Sequence, residues 1–584
     1  LSFASSDQYF KVLENNVSVY DNSSGKLVKV GSLTKGQVYP IVSIVGNWHR
    51  IKFGNIYGYV WKEATEPADA SSLKNINKGE KNSGRTITAL TTLTVYDNTS
   101  GSLVPFGTIE AGKEYPIISK TGNWYKIDYA GRIGYIYASA AKLSFASSDQ
   151  YFKVLENNVS IYDNSSGKLV KVGSLTKGQV YPIVSIVGNW HRIKFGNIYG
   201  YVWKDATEPV FSFDSSLINK AKNSGRGFKA LTNLTVYTRG NSDYFGVIDK
   251  DVTYPYIKKT GNWYEIDFAG RTGYVYAPAT EETTTYSYYN LTLSEMLAKQ
   301  MKVRPQTQSI DHAYVHSGYI QVTNNGTSGK VTENVLNVRT TPEDNGDNNK
   351  AGQLKEGDTV QIIGKVGVWY KIRYSANFAP GWKDADQDDV LYYLNPNNFL
   401  DYNGPGIFQF LKLDRYTGLT AADINKNILT MDKGILAGKG EAFVTAAKTY
   451  NVNEIYLITH ALHETGNGKS ILAKGVTVNG QKVYNMYGIG ATDNCSITCG
   501  SQYAYNQGWT TPEKAIIGGA KFIADDYVHI GQDTLYKMRW NPANPATHQY
   551  ATSIHWALTQ ARSYKTYYSM FDSYMLYFDI PVYK

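Results

Sequence analysis

The sequence predicts a multidomain protein in which tandem small all-β barrels precede one α+β domain, mostly helical with a small β-lobe. A chain of 584 residues is too long for a single hydrophobic core. Over the first 280 residues, short alternating strands are separated by Gly, Asn and Asp, which is typical of small barrels. From about residue 401 the apolar spacing becomes helical, which marks a change of domain.

Four units make up the repeat region. Residues 1–67 recur at 143–209 with only two changes, and 81–142 resembles 222–280 more loosely. Each unit has a Val-Tyr or Ile-Tyr strand, a Tyr-Pro strand, a Gly-Asn-Trp turn and a final Gly-Tyr-Val or Gly-Tyr-Ile followed by an aromatic residue. We therefore expect β-barrel units at 1–75, 81–142, 143–217 and 222–283.

The repeated tryptophans predict interior packing, because a barrel this small needs one or two large aromatic side chains to fill it. Trp48 and its equivalents are the candidates for that role. The chain has 49 Tyr, many more than such cores require, and these suit exposed contacts with sugars or peptides.

A fifth unit is expected at 329–400, after a segment at 284–328 that contains one helix. Leu291–Met301 has the helical pattern, with Thr292 or Ser294 as its N-cap. The segment around this helix is polar and extended, so it is either a linker or a segment that packs on a neighbouring domain.

Unit 5 carries the motifs Leu336-Asn337-Val338-Arg339 and Gly367-Val368-Trp369-Tyr370-Lys371-Ile372. With these motifs, 329–392 resembles the bacterial Src-homology-3-like domain. The four earlier units resemble it less closely, since they lack the exact Leu-Asn-Val-Arg. The resemblance implies wall-binding modules for peptidoglycan peptides or attached polymers, and tandem copies would add avidity.

The net charge of +9 is spread thinly along the chain: residues 401–584 hold 16 basic and 14 acidic side chains. This suits anionic wall polymers, whereas no Lys/Arg cluster argues for nucleic acid. No apolar run approaches about 20 residues, so no transmembrane segment is expected. Leu1-Ser2-Phe3-Ala4 does not look like a signal peptide, so we expect either that there was none or that it has been removed.

The C-terminal domain, 401–584, is predicted to be largely helical. Helices are expected at 421–428, 440–450, 454–465, 512–527, 547–560 and 564–576. A capping box of Thr510 and Glu513 is expected to start the fourth of them. Asn479-Gly480 between two short β-like runs predicts a hairpin with a type I′ turn.

Glu464 is the candidate catalytic residue of this domain. The helix that carries it is expected to begin after Asn453 and to end at Gly466, with Leu457 and Ala461 on the same face as Glu464. A carboxyl at the edge of an apolar face can be partly buried, and burial favours the protonated form that a proton donor needs near neutral pH. The alternative is an exposed carboxylate in a capping turn.

Four motifs in this domain resemble glycoside hydrolase family 73, the endo-β-N-acetylglucosaminidase domains of Gram-positive autolysins. They are His463-Glu464-Thr465-Gly466-Asn467-Gly468, Tyr487-Gly488-Ile489-Gly490-Ala491, Thr534–Pro542 and His548-Gln549-Tyr550-Ala551-Thr552. The resemblance implies a lysozyme-like domain with Glu464 as catalytic acid, cutting the β-1,4 bond after N-acetylglucosamine in peptidoglycan. It also implies a secreted, wall-associated protein without a cofactor, which we expect to be a monomer.

Two other function classes stay open at the sequence level. A lytic transglycosylase or muramidase would share the layout and the single acid but cleave after N-acetylmuramic acid. A non-catalytic wall-binding adhesin would keep the fold with a spent active site.

The group that completes the mechanism is less defined. A retaining displacement needs a second carboxylate about 5 Å from the acid, and an inverting one needs about 6.5–9.5 Å. Asp493 is the one acid between Ile471 and Tyr505, and its alternative role is structural, in a turn before Cys495. The substrate's own acetamido oxygen is the other candidate, with Tyr487 positioning it or simply packing the β-lobe.

Asn485, Trp540 and Tyr564 are candidate sugar contacts, with core packing as the alternative for Trp540. A zinc peptidase site is not expected, because Asn467 occupies the position of the second histidine in His-Glu-x-x-His. Cys495 and Cys499, the two cysteines, are expected to form a local disulfide in an exported protein, with free thiols as the alternative.

Overall fold

The repeat units pair into two modules, each with a continuous ten-stranded sheet and one shared core. The computed structural model describes residues 2–240, 243–492 and 494–584. In the first module, Val28–Leu33 of unit 1 pairs antiparallel with Val104–Ile109 of unit 2, and units 3 and 4 repeat this pairing. Four separate barrels were expected, but strand pairing between neighbours joins them two by two.

The strands of the first module are Tyr9–Val12, Val17–Asp21, Val28–Leu33, Val38–Pro40, Ser43–Val45, Trp48–Phe53, Ile56–Trp61, Thr65–Ala68, Thr86–Ala89, Leu93–Asp97, Val104–Ile109, Glu114–Pro116, Ser119–Thr121, Trp124–Tyr129, Arg132–Tyr137 and Ala141–Leu143. Those of the second are Tyr151–Val154, Val159–Asp163, Val170–Leu175, Val180–Pro182, Ser185–Val187, Trp190–Phe195, Ile198–Trp203, Thr207–Val210, Gly227–Ala230, Leu234–Tyr237, Tyr244–Ile248, Thr253–Pro255, Lys258–Thr260, Trp263–Phe268, Arg271–Tyr276 and Thr280–Glu282.

Trp48 and its equivalents lie outside the barrels rather than inside. Side chains alternate between the two faces of a strand, and in Trp48–Phe53 it is His49, Ile51 and Phe53 that are buried. Trp48 is half-buried on the outer face, where it meets Trp61 edge-on with ring centroids 5.0 Å apart. The prediction of interior packing for Trp48 is therefore wrong, because the strand register turns it outward.

The segment 284–328 is built into sheets and a core, so the linker alternative does not describe it. Thr284–Tyr289 pairs parallel with the C-terminal strand Phe578–Tyr583. Helix α1, Leu293–Met301, begins at Thr292 with a capping box to Glu295, and its apolar face is buried in the helical domain. Ser309–His316 is already a strand of unit 5.

Unit 5 is inserted between parts of the helical domain. Its strands are Ser309–His316, Ile320–Thr323, Ser328–Val331, Leu336–Arg339, Lys350–Leu354, Thr359–Val366 and Trp369–Asn377, with a separate core. Residues 387–394 were included in the expected bounds of unit 5, but they form helix α2, Gln387–Leu394, which buries Val390 and Leu394 in the helical domain. The helical domain thus draws on residues from both sides of the unit.

The remaining helices are α3 Ala421–Asn427, α4 Gly440–Tyr450, α5 Glu454–Glu464, α6 Ile471–Lys474, α7 Ser496–Asn506, α8 Pro512–Ile523 with a π-helical turn at Ala524–Val528, α9 Leu535–Trp540 and α10 Trp556–Tyr568. The predicted hairpin forms from Val476–Val478 and Gln481–Val483, with positive φ at both Asn479 and Gly480. Over the described ranges, none of the helices is long and apolar enough to cross a membrane.

Three local predictions in this domain are wrong. In place of the helices expected at 547–560 and 564–576 there is one helix, α10, which begins only at Trp556. Ala546 and His548 have left-handed backbone conformations, which prevent a helix from starting at 547. Helix α7 was missed within the expected β-lobe. The N-cap of α8 is Thr511 rather than Thr510, and Glu513 pairs with Lys439 instead of closing a capping box.

Candidate active site

Helix α5 places Glu464 at the edge of the buried core. The Asn453 side chain accepts a hydrogen bond from the Tyr456 backbone N–H at 2.9 Å, which starts the helix, and Gly466 follows its end with φ +55°. Leu457 and Ala461, on the face of Glu464, are fully buried. The Glu464 side chain itself is 37% exposed, so its carboxyl reaches from the core edge into an open cleft.

The cleft around Glu464 has a volume of about 250 Å³. Its walls come from α5, α9, α10 and the loop before α10. The lining residues are Tyr456, Thr459, His460, His463, Glu464, Leu535, Tyr550, Trp556, Gln560 and Tyr564. Several flat aromatic rings around one carboxyl are the composition expected of a sugar-binding cleft.

His460 is a titratable neighbour of Glu464, with Nε2 3.9 Å from Oε1. Burial, together with the charge of His463, lowers the pKa of His460 to about 4. The imidazole is therefore neutral near neutral pH. Its 3.9 Å contact with the Glu464 carboxyl is for that reason not an ion pair. Glu464 therefore receives no counter-charge from this residue.

The loop at Tyr487-Gly488 lies directly against the Glu464 carboxyl. A Cβ added at Gly488 would be 3.1 Å from Glu464 Oε2, and Gly488 has φ +66°. Asn485 holds this loop in place: Nδ2 donates to the carbonyls of Ile489 at 2.8 Å and Gly500 at 3.1 Å. Asn485 is 1% exposed, so the structure gives it a positioning role.

Replacing Gly488 by Ala is expected to lower kcat by about tenfold or more, because a new methyl displaces the carboxyl and misaligned groups lose rate steeply. The left-handed backbone adds a stability cost of about 1–2 kcal/mol. Steady-state hydrolysis and thermal unfolding separate the two effects. Gly508→Ala is the matched control, since Gly508 has φ +69° with open space around it. An equal loss of kcat in both variants would contradict the steric argument.

The other predicted contact residues are largely enclosed. Tyr487 is 3% exposed and packs against Gly519 and edge-on to His460. Trp540 is fully buried beneath the Arg539 guanidinium, 3.9 Å from its ring centroid. Tyr564 lines the cleft although only 1% of it is exposed. The packing alternatives fit Trp540 and Tyr487, and sugar contact by Tyr564 stays a prediction.

The predicted second carboxylate, Asp493, lies outside the described residues. Cys495 and Cys499 are joined in a disulfide at the start of α7, with Cα atoms 5.4 Å apart. Elsewhere in the described chain, no group of three or more His, Cys, Asp or Glu side chains is arranged to hold a metal ion.

Tyr550 is a site residue that sequence reasoning did not single out. It lines the cleft and stacks on Trp556 with ring centroids 4.6 Å apart. Burial as the main cause and the charge of Glu464 as a smaller one together raise the pKa of Tyr550 to about 12. The phenol therefore stays protonated and can donate a hydrogen bond in the cleft. Its motif was visible in the sequence, but its closeness to Glu464 is a property of the tertiary fold.

Comparison with known proteins gives a family match within the helical domain. Residues 440–569 match the glucosaminidase family model, described as mannosyl-glycoprotein endo-beta-N-acetylglucosaminidase. The matched residues lie within the helical domain and make up less than half of the chain. This match confirms the sequence-based prediction of an endo-β-N-acetylglucosaminidase domain at the level of the family.

Two curated relatives and one solved structure are similar to this chain. The Beta-N-acetylglucosaminidase of Bacillus subtilis (strain 168) is 50% identical over 299 residues, which cover 51% of this chain and 32% of that protein. A Bifunctional autolysin of Staphylococcus epidermidis is 54% identical over 262 residues, covering 40% and 20%. The match thus spans only a third or less of the length of these relatives. The crystal structure of Major Bifunctional Autolysin is 34% identical with a TM-score of 0.36, covering 52% of this chain and 98% of that chain.

Proposed function

We propose that this chain hydrolyses the β-1,4 bond after N-acetylglucosamine in the glycan strands of peptidoglycan, with Glu464 as general acid. The observation that carries the proposal is the Glu464 carboxyl in an aromatic-lined cleft of a glucosaminidase-family domain. The names of the relatives, a β-N-acetylglucosaminidase and bifunctional autolysins, point to the same substrate.

Glu464 would protonate the oxygen of the leaving sugar. Because its side chain is 37% exposed in the free protein, the bound glycan strand must exclude the remaining water. Either Asp493 or the substrate's acetamido oxygen would complete the displacement at the anomeric carbon. The protonated Tyr550 phenol supports the acetamido route, since a donor beside Glu464 can hold and orient the amide.

The five β units would hold the enzyme on the wall as Src-homology-3-like modules. Their outer faces support this role: in unit 1, Trp48 and Trp61 lie beside Arg50, whose guanidinium is 4.0 Å from the Tyr57 ring centroid. Unit 3 repeats the arrangement with Arg192 and Tyr199. Exposed rings stack on sugars and the adjacent cations attract anionic groups, so the faces suit peptidoglycan with its anionic polymers. The protein would then be secreted and wall-associated.

Replacing Trp61 and Trp203 together by Ala is expected to weaken binding to purified cell walls by about tenfold, because each loss removes one contact from a multivalent set. These two side chains are 37% and 39% exposed, so folding should be preserved. Co-sedimentation with walls measures the change. Replacing Leu27 and Leu169, equally repeated and each 48% exposed in turns, is the control. Unchanged binding in the tryptophan variant would contradict the role of these faces.

The proposed specificity is tested by digesting purified peptidoglycan, reducing the products and identifying the reduced sugar by mass spectrometry. We expect reduced N-acetylglucosamine ends. Ends carrying N-acetylmuramic acid or its anhydro form would establish the muramidase or transglycosylase alternative instead. Binding without cleavage would move the protein to the adhesin class.

A further inference from the structure

A second cavity of the helical domain lies between α7 and α8 and has a volume of about 410 Å³. Its lining is Tyr503, Gln507, Trp509, Gly518, Lys521, Phe522, Asp525 and Asp526. Neither the proton donor nor any residue of the Glu464 cleft belongs to this set. The cavity is therefore separate from the Glu464 cleft in its lining residues.

Three aromatic rings form one wall of this cavity. Tyr503 meets Trp509 at a centroid distance of 5.6 Å and Phe522 at 6.3 Å, both edge-on. Trp509 is 5% exposed and packs on Gly518, whereas Phe522 is 49% exposed. Phe522 thus presents a large ring to solvent and contacts the half-buried Tyr503, which in turn packs on the buried Trp509.

The π-helical turn that ends α8 connects this cavity to a contact of the Glu464 cleft. Asp526 lines the cavity, while the next residue, Tyr527, packs against Tyr550 of the cleft with centroids 5.1 Å apart. Burial and then the charge of Asp526 raise the pKa of Tyr527. π-helical turns are rare and occur frequently at functional sites, where they re-aim side chains.

The two aspartates at the mouth of the cavity, Asp525 and Asp526, differ in whether they form ion pairs. Asp525 is held by Lys521 at 2.7 Å and by His529 at 2.6 Å. Asp526 is exposed and forms no ion pair within the described residues, so its carboxylate is free to accept hydrogen bonds from a ligand. An exposed ring beside a free acceptor and the Gln507 amide is a combination that binds a pyranose, by its apolar face and its hydroxyl or amide groups.

We propose that the groove between α7 and α8 is a distal saccharide subsite for the same glycan strand that is cut at Glu464. A sugar of the strand stacks on Phe522, with Asp526 and Gln507 accepting and donating hydrogen bonds at its edge. This inference rests on the proposed function, since the closeness of the groove to the Glu464 cleft, through Tyr527 and Tyr550, is what makes the glycan strand the occupant. The subsite would favour long strands over short fragments.

The test compares kcat/KM of Phe522→Ala on two substrates without stem peptides: long glycan strands and the shortest oligosaccharide that the wild type cleaves. We expect a loss of about fivefold on long strands, the usual scale for truncating a well-placed contact, and no change on the short substrate. Phe522→Tyr, which keeps the ring, should retain wild-type kcat/KM on both. Ile530→Ala is the control, since Ile530 is 61% exposed on the same stretch but outside the cavity.

An equal loss on long and short substrates, or a loss in the Ile530→Ala control, would overturn the subsite. A loss seen only when the strands carry their stem peptides would assign the groove to peptide instead and also overturn it. A second experiment measures binding of peptide-free long strands to the Glu464→Gln variant and to the Glu464→Gln, Phe522→Ala double variant. It tests the subsite independently of cleavage. Weaker binding in the double variant supports the subsite even if the products show a different bond specificity, and unchanged binding contradicts it.

Discussion

Glu464→Gln is expected to lower kcat on peptidoglycan by about a hundredfold to ten-thousandfold, the usual range for removing a general acid. The amide keeps the size of the carboxyl and its place beside Gly488, where an added Cβ would lie only 3.1 Å from Oε2. KM and wall binding should therefore change little, since the lost interaction is a proton transfer made in the transition state. Release of soluble fragments from walls and co-sedimentation measure the two quantities.

Glu454→Gln is the matched control on the same helix. Glu454 is fully buried at the start of α5, where its carboxylate accepts hydrogen bonds from Thr417 and Leu419, and burial raises its pKa. We expect this variant to lose stability while each folded molecule keeps its kcat. Comparable losses of kcat in both variants would show that the effect on Glu464 comes from damage to the helix rather than from proton transfer.

Lys537→Met is expected to lower the free energy of unfolding of the helical domain by about 3–5 kcal/mol, the range for breaking a buried ion pair from one side. Lys537 Nζ lies 2.7 Å from Asp533 Oδ1 and 2.5 Å from Asp579 Oδ2, and the lysine side chain is only 10% exposed. Its removal leaves the buried Asp579 carboxylate without its lysine partner, whereas Asp533 keeps its pairing with Lys412. Urea unfolding measures the loss.

The pH dependence of the stability loss in Lys537→Met follows from the shifted pKa values of Lys537 and Asp579. Burial disfavours the charge on Lys537, but Asp533 and Asp579 outweigh it and raise the lysine pKa, so the lysine stays charged throughout the neutral range. The pKa of Asp579 is lowered on balance, although burial alone would raise it, because Lys537 and Ser287 stabilise the carboxylate. That contribution is present above the unfolded pKa of an aspartate and is lost as pH falls through the lower folded value.

The stability difference between wild type and Lys537→Met should therefore be constant near neutral pH and shrink in acid. Lys521→Met is the surface control: Lys521 is 62% exposed and pairs with Asp525, so a change within about 0.5 kcal/mol is expected. A loss below about 1 kcal/mol in Lys537→Met would contradict the buried-pair account.

Local signals predicted much of the helical domain. Helices α3, α4 and α5 lie where apolar spacing and caps placed them, because Thr420 and Asn453 cap two of them within their own turns. Helix α7 was missed because Gly500 and several polar residues weaken its helical pattern, while the neighbouring hairpin favoured a β-lobe. The helix start predicted at 547 was wrong because residues around His548 form a loop with positive φ that packs against Gln532 and Tyr527, and this contact is tertiary.

The site shows the same division between local and tertiary information. Glu464 could be found from its motif and from the end of its helix. The neutral His460, the close approach of Gly488 and the Tyr550 phenol depend on chain segments that meet only in the fold. The outward turn of Trp48 was equally out of reach, since a shift of strand register by one residue exchanges the inner and outer faces.

The central claim is that Glu464 donates a proton to the leaving sugar, and the most direct test varies how much the leaving group needs that proton. Wild type and Glu464→Gln should be compared on natural glycan strands and on a β-glycoside of an N-acetylglucosamine oligomer with a dinitrophenolate leaving group, which departs without protonation. We predict that Glu464→Gln loses about a hundredfold or more in kcat/KM on glycan strands but stays within about tenfold of wild type on the activated glycoside. Equal losses on the two substrates would contradict a general-acid role for Glu464.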